Sequence, residues 1–104
     1  MLVYTGINRT AHDIAKSYIN KLHKSRKSHI LKISSFVGEA ETILRKGDVD
    51  NFGKLIHESW LEKKGLSSSI TNSFIDEIYN NAISKGALGG KLLGAGGGGF
   101  FVFY

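Results

Sequence analysis

The spacing of hydrophobic residues along the chain predicts one short strand followed by four helices. Residues 1–5 are apolar, β-branched and aromatic, and Gly6 interrupts them, which is typical of a strand. From there to Gly86, hydrophobic residues recur every three or four positions, the spacing that places them on one face of a helix. The helices are predicted over about residues 10–22, 27–46, 49–64 and 73–85.

Local signals support the ends of these helices and the positions they bury. Gly47, Gly65 and Gly86 follow the second, third and fourth helices, where the backbone must leave the helical conformation. Asp48 and Asn72 precede the third and fourth helices and can accept hydrogen bonds from their first N–H groups. In the last three helices, the expected buried positions are Ile30, Ile33, Val37, Ala40 and Leu44, then Phe52, Leu55, Ile56 and Trp60, then Phe74, Ile75, Ile78, Tyr79 and Ala82.

The composition changes after the fourth helix, where glycine becomes the dominant residue. Eight of the fourteen residues at positions 86–99 are glycine, and Phe100 to Tyr104 form a dense run of β-forming residues. The predicted order is therefore strand, four helices, strand, glycine loop and strand. This order is typical of an α+β fold in which four helices pack on a small sheet.

The chain is expected to form one domain over residues 1–104, because it has no proline, no internal repeat and no second composition class. Its most hydrophobic predicted strand comes last, and we expect the edge of that strand, Phe100 to Tyr104, to be exposed and open to self-association. Such an edge normally needs a cover, so we also expect the sequence to be part of a longer protein.

Composition excludes several classes of function. The chain has no cysteine, which rules out disulfide bridges and thiolate metal sites, and it has no apolar run of membrane-spanning length. Its histidines lack partners at metal-ligand spacing; His57 and Glu58, for example, are followed by Leu61 where a zinc-protease helix needs histidine. We therefore expect a cytoplasmic protein without a membrane contact or a metal site of its own.

The net charge of +5 is concentrated between Lys21 and Lys32, where four lysines, one arginine and two histidines occur. Such a cluster can bind nucleic acid or another polyanion. The same cluster is also typical of a solvated helix face, and no aromatic residue lies between the two lysines to stack on bases. A polyanion-binding or structural remnant module is therefore the alternative hypothesis for the function.

The glycine-rich segment has two physical uses. Glycine adopts positive φ angles without strain and lets a ligand approach the backbone, and successive N–H groups in such a turn can attract phosphate. Gly94, Gly96 and Gly99 satisfy the spacing G-x-G-x-x-G, but a dinucleotide-binding loop opens a helix, whereas this loop opens a strand. The sequence after Lys91 also departs from a nucleotide-binding P-loop, because Leu92 stands where serine or threonine would hold magnesium. A hairpin turn without a ligand remains open on this pattern alone.

Four strings carry a resemblance to a known family. GALGGKLLGAGGGGF at positions 86–100 closely resembles the third motif of the GHMP kinase superfamily, which includes galactokinase and the homoserine, mevalonate and phosphomevalonate kinases. YTGINRTA at 4–11, SWLEKKGLSS at 59–68 and IDEIY at 75–79 are similar to the D-glycero-D-manno-heptose 7-phosphate kinase branch. The pattern usually has proline where this chain has Ser73.

The resemblance implies a function that this chain carries only in part. GHMP kinases have an N-terminal domain with the main ATP phosphate loop and the acidic residue of catalysis or Mg²⁺ binding, and a ferredoxin-like C-terminal domain. This chain resembles only the C-terminal domain, in a truncated form. The resemblance thus implies transfer of phosphate from ATP to a heptose 7-phosphate by the intact enzyme, ATP and Mg²⁺ held mainly by the N-terminal domain, and no catalytic residue or activity in this chain alone.

The resemblance also implies candidate site residues, each with a plain alternative. The glycine loop either places backbone donors near the phosphates or supports the phosphate loop of the missing domain, and Lys91 either reaches a phosphate or faces outward from a strand. The loop candidates are Gly94, Ala95, Gly96, Gly97, Gly98 and Gly99, together with Lys91. The substrate candidates are Arg9, Lys64, Ser67 and Ser68, which would otherwise be a surface arginine, a helix-end lysine and turn serines.

Overall fold

Three short antiparallel strands form the sheet, and four helices lie between the first strand and the second. The computed structural model describes residues 1–19 and 26–104. Within them the element order is the one expected from the sequence, which confirms the α+β fold. The elements are β1 (Leu2–Tyr4), α1 (Ala11–Ile19), α2 (Lys27–Arg45), α3 (Val49–Lys64), α4 (Ser73–Ser84), β2 (Gly90–Leu92) and β3 (Phe100–Phe103).

The sheet has the order β1-β3-β2, so the last strand along the chain is the central one. Phe101 pairs with Val3 on one side and with Leu92 on the other. The prediction of an exposed edge from Phe100 to Tyr104 is therefore wrong, and with it the proposed route to self-association. The physical reason is that β1, from the far end of the chain, hydrogen-bonds to the flank of β3 that β2 leaves open.

The hydrophobic core lies between one face of the sheet and helices α3 and α4. Trp60 is fully buried, as expected, and its ring stands edge-on against Phe101 with the centroids 5.6 Å apart. Tyr79 packs against both Phe101 and Phe103 from α4. Leu92 fills the same layer from β2. Because Leu92 of β2 and Phe101 of β3 both belong to this core, the core fixes the strands on either side of the glycine loop.

The predicted caps form at the helix starts. The Asp48 carboxylate accepts a hydrogen bond from the backbone N–H of Asn51 at 3.3 Å, and the Asn72 side chain accepts one from the N–H of Ile75 at 2.9 Å. Gly47 ends α2 with a φ of +70°, which a residue with a Cβ rarely adopts. These signals are local, so the sequence predicts the boundaries of α3 and α4 closely.

The predicted buried stripe of α2 is largely exposed. Val37 and Leu44 keep 72% and 50% of their surface in contact with solvent, and Phe36 is the buried hydrophobic residue of this helix. The reason is that α2 packs on α3 rather than on the sheet, so only part of its apolar face meets another element. Phe74, also expected to be buried, is 50% exposed on α4. None of the described helices is both long and apolar enough to cross a membrane.

Candidate functional site

The glycine loop connects β2 to β3 through a backbone that requires glycine at several positions. Gly94, Gly96, Gly97 and Gly99 have φ angles of +71°, +116°, +75° and +98°. Residues with a Cβ are strained at such φ angles. The loop therefore follows this path without backbone strain only when glycine occupies these four positions.

The loop is anchored at two of its backbone N–H groups. Gly97 donates to the carbonyl of Ile70 at 2.8 Å, and Gly99 donates to the carbonyl of Ile7 at 2.9 Å. Among the described residues, the N–H groups of Gly94, Ala95, Gly96 and Gly98 make no backbone hydrogen bond. Two donors therefore fix the loop, and the other four have no backbone partner that would compete with a ligand oxygen such as that of a phosphate.

Two other segments meet the loop at the same end of the molecule. A Cβ added at Gly96 would lie 2.9 Å from Cγ2 of Ile70, and one added at Gly98 would lie 2.6 Å from the carbonyl oxygen of Ile7. The loop thus contacts both the segment that follows β1 and the connection between α3 and α4. Arg9 belongs to the first segment, and Ser67 and Ser68 belong to the second, so the fold brings these three candidates near the loop.

The substrate candidates differ in how strongly the protein already engages them. Arg9 and Ser68 are exposed. The Ser67 hydroxyl lies 2.8 Å from that of Ser17 and also accepts the N–H of Ser69. The Lys64 ammonium pairs with the carboxylate of Asp76 at 3.1 Å, so this lysine ties α3 to α4. Arg9 and Ser68 are therefore the two candidates whose polar groups are most open to a ligand.

Lys91 does not point along the glycine loop. Its side chain lies on the sheet face opposite Leu92, and its ammonium donates to the hydroxyl of Ser59 on α3 at 3.2 Å. Burial lowers the pKa of Lys91 from its ordinary value. Lys91 and Ser59 line an open groove of about 540 Å³ whose other walls are apolar. The groove is lined further by Ile33, Phe36, Val37, Ala40, Phe52, Leu55, Ile56, Leu93 and Val102.

Lys63 is a candidate that the sequence analysis missed. Its ammonium donates to the carbonyl of Leu92 at 2.8 Å and to the carbonyl of Gly94, where the loop begins. Burial, and next the nearby charge of Lys91, lower the pKa of Lys63 to about 8. A signal for it exists in the sequence, because a lysine three positions after Trp60 lies near the buried side of α3.

The described part of the chain offers donors for phosphate but no metal-binding cluster of histidine and acidic residues. In the part of the chain that the structure describes, no group of three or more histidine, aspartate and glutamate residues can hold a metal ion. The donor set around the glycine loop fits the phosphates of a nucleotide or a sugar, because it consists of N–H groups and cations. It does not fit Mg²⁺, which prefers carboxylate and water oxygens.

The basic stretch lies partly outside the described residues, which omit Lys21, His23 and Lys24. In its remaining part, His29 lies 2.6 Å from the carboxylate of Glu62. The Lys32 ammonium lies 5.1 Å from the centroid of the Phe36 ring. These two side chains therefore contact the domain itself.

The fold and the glycine loop define the C-terminal domain of a small-molecule kinase. A family model described as "GHMP kinases C terminal" matches residues 40–103, so the chain belongs to the C-terminal domain family of the GHMP kinases. This finding confirms the family expected from the glycine-rich string.

The individual proteins that the chain resembles include sugar kinases and a mevalonate kinase. It is 34% identical to D-glycero-alpha-D-manno-heptose 7-phosphate kinase of Campylobacter jejuni over 100% of this chain and 31% of that protein. It is 33% identical to L-fucokinase/L-fucose-1-P guanylyltransferase of Bacteroides fragilis over 96% of this chain and 11% of that protein. The crystal structure of L. major mevalonate kinase in complex with R-mevalonate superimposes with a TM-score of 0.88 and 25% identity, covering 98% of this chain and 32% of that one. The chain thus spans less than a third of the length of each.

Proposed function

We propose that this chain is the C-terminal part of an ATP-dependent sugar-phosphate kinase whose intact form transfers the γ-phosphate of ATP to the anomeric hydroxyl of a heptose 7-phosphate. The observation that carries the proposal is the similarity to the heptose 7-phosphate kinase along the whole chain. The geometry of the glycine loop supports it, since four N–H donors of that loop make no backbone hydrogen bond within the described residues.

Each group of this chain would act by positioning rather than by chemistry. Phosphoryl transfer depends on alignment of the reactants and on neutralisation of negative charge. The N–H groups of Gly94, Ala95, Gly96 and Gly98, which lack a backbone partner among the described residues, would face a phosphate of the nucleotide or support the phosphate loop of the N-terminal domain. Arg9 is suited to a two-pronged contact with the 7-phosphate of the sugar, and the hydroxyl of Ser68 to a sugar hydroxyl.

The domain would need a partner to complete the active site. We propose that residues 1–104 form one C-terminal domain that works against an N-terminal kinase domain, which would hold most of the ATP and the Mg²⁺. The 104 residues alone would then be inactive. This activity would draw on the ATP of the cytoplasm, the compartment that we propose for the protein.

A backbone amide titration of the ¹⁵N-labelled chain tests the ligand role. We expect Mg-ATP to shift the amides of residues 94–99, and heptose 7-phosphate to shift those of Arg9 and Ser68. Magnesium chloride and adenosine, each alone, are the controls that separate a phosphate effect from the metal and the base. A well-dispersed spectrum that ignores both phosphate ligands would contradict direct binding by the loop.

An activity assay tests the need for a second domain. We expect the purified 104 residues to transfer no phosphate from Mg-ATP to heptose 7-phosphate, because the described residues contain no metal-binding cluster. Formation of heptose bisphosphate at a normal kinase rate, between about 1 and 100 per second, would show that the chain is a complete enzyme.

A further inference from the structure

The ammonium groups of Lys63 and Lys91 lie along the same seam, between α3 and β2. Lys63 follows Ser59 by one helical turn, and Lys91 hydrogen-bonds to the hydroxyl of that same Ser59 at 3.2 Å. Lys63 reaches the carbonyls of Leu92 and Gly94, the residues that lead from β2 into the glycine loop. The two cations therefore lie on the same side of α3, and Lys63 is close enough to Lys91 to be affected by its charge.

Neither cation is neutralised by an acid of the described chain. The ion pairs among the described residues join His29 to Glu62, Arg45 to Glu41 and Lys64 to Asp76. Lys64 follows Lys63 directly, so the helix pairs one lysine with a carboxylate and leaves its neighbour with neutral carbonyl oxygens. Burying two like charges without a counterion costs free energy, which an arriving anion would recover.

The hydrogen-bonding capacity of the two lysines is also incomplete. An ammonium group has three N–H donors. Lys63 uses two of them for Leu92 and Gly94, and Lys91 uses one for Ser59. Three donors thus remain between the two side chains. Lys91 also lines the open apolar groove, so a small anion can reach it from solvent.

We propose that Lys63 and Lys91 together bind an oxyanion of the phosphate class at the seam between α3 and β2. The proposal rests on the proposed function in one respect only, the identity of the molecule that carries this phosphate. That molecule would be the nucleotide or the sugar phosphate. The depressed pKa values of the two lysines agree with the geometry, because each cation is held partly away from water and Lys63 also senses the charge of Lys91.

A purely structural role would give a different result. Leu92 is the last residue of β2, which forms one edge of the described sheet, and Gly94 begins the loop, so Lys63 could serve only to bind their carbonyl oxygens. In that case, replacing Lys63 would lower stability without changing any anion affinity. Lys91, which contacts a hydroxyl rather than the strand backbone, separates the two roles because it has no carbonyl to cap.

Titration with inorganic phosphate at pH 7, read from the Cε–H signals of ¹³C-labelled lysine, tests the proposal. Sodium chloride at equal ionic strength is the reference. We expect phosphate to shift the signals of Lys63 and Lys91 selectively, and Lys63→Gln and Lys91→Gln each to weaken phosphate binding about tenfold or more. Lys54→Gln is the matched control, because Lys54 lies exposed on the same helix and, among the described residues, its ammonium hydrogen-bonds to the side chain of Asn51 alone, at 3.3 Å.

The outcomes distinguish this proposal from the proposed function. Loss of phosphate affinity in folded Lys91→Gln, with Lys54→Gln unchanged, would support the two-lysine site even if the glycine loop ignored Mg-ATP. Phosphate shifts spread evenly over all lysines, or an affinity that Lys91→Gln leaves intact, would overturn the site. Mg-ATP shifts confined to the glycine loop, with both lysine signals unmoved by phosphate, would overturn it while leaving the kinase assignment in place.

Discussion

The Nδ1 atom of His57 lies 2.6 Å from the hydroxyl oxygen of Tyr79, and this hydrogen bond joins α3 to α4 beside the core. The two rings are also nearly parallel, with centroids 5.9 Å apart. Burial raises the pKa of Tyr79 to about 12, so the phenol stays neutral throughout the physiological range. The phenol therefore links the two helices without adding a charge of its own.

Removing the Tyr79 hydroxyl should weaken this link and leave the packing in place. We expect Tyr79→Phe to lower the free energy of unfolding by about 1 kcal/mol, because a half-buried imidazole nitrogen loses its partner. Urea denaturation measures the change. Tyr104→Phe is the control, since Tyr104 is 45% exposed and should respond by less than about 0.5 kcal/mol. Equal losses in the two variants would show that the hydrogen bond contributes nothing.

The stability of the chain should rise as the pH is raised from 8 towards 10. Lys63 has a pKa of about 8 in the fold, whereas an unfolded lysine titrates near 10.4. Below pH 8 the side chain is charged in both states, and the folded state bears the cost of burying that charge. Between the pKa of the folded state and that of the unfolded state, Lys63 loses its proton in the folded state and keeps it in the unfolded state. The free energy of unfolding therefore increases, by about 1–3 kcal/mol.

Urea denaturation at pH 7, 8, 9 and 10 checks this dependence. Lys63→Met should flatten the rise, because methionine fills a similar space without a charge, and Lys54→Met should keep it. Above pH 10 the trend should reverse, since the unfolded phenol of Tyr79 ionises while the buried one holds its proton to about pH 12. Because burial also lowers the pKa of Lys91, a small rise should remain in Lys63→Met; a rise of undiminished size would mean that Lys63 does not cause it.

Two helical glycines should respond to alanine in opposite directions. An added Cβ at Gly38 on α2 meets no atom within 4 Å, whereas at Gly53 on α3 it would lie 2.8 Å from Cδ1 of Tyr104 and 3.0 Å from Cβ of Leu88. We expect Gly38→Ala to stabilise the chain by about 1 kcal/mol through helix propensity. Gly53→Ala gains the same propensity but forces neighbours apart and should be destabilising by about 1–3 kcal/mol. Thermal melts of both variants check the signs, and a stabilised Gly53→Ala would mean that Tyr104 moves aside freely.

The parts of the fold that follow from neighbouring residues could be predicted from the sequence. Asp48 and Asn72 cap their helices within three residues of their own positions, so α3 and α4 begin where the pattern predicts. The exposure of Val37 could not be predicted, because periodicity shows that a helix has an apolar face but not which element covers it. The central place of β3 depends on pairing with β1 across nearly the whole chain, which no local pattern encodes.

The candidate site, like the fold, could be predicted from the sequence only in part. The glycine string predicts a loop between two strands because the need for positive φ angles is local to each glycine. The direction of Lys91 depends on where α3 lies, and its contact with Ser59 is therefore visible only in the structure. Lys63 was missed because a lysine at the end of a helix is normally interpreted as a charge that favours the helix dipole. In the structure this lysine instead donates a hydrogen bond to the carbonyl of Leu92 on β2.

Within the loop, the cost of a side chain should depend on what lies beneath each glycine. Gly94 and Gly96 both have positive φ angles, but a Cβ at Gly94 meets no atom within 4 Å, whereas one at Gly96 would lie 3.0 Å from Cα and 3.1 Å from the carbonyl oxygen of Ile70. We expect Gly94→Ala to cost about 1–2 kcal/mol from backbone strain alone. Gly96→Ala should cost more, because the backbone of Ile70 cannot move without disturbing the hydrogen bond from Gly97. Urea denaturation gives both values, and the amide signal of Gly97 should shift in Gly96→Ala but not in Gly94→Ala. Equal costs with an unmoved Gly97 signal would mean that the loop does not pack on Ile70, and the four donors proposed for phosphate would then lose the support that holds them in place.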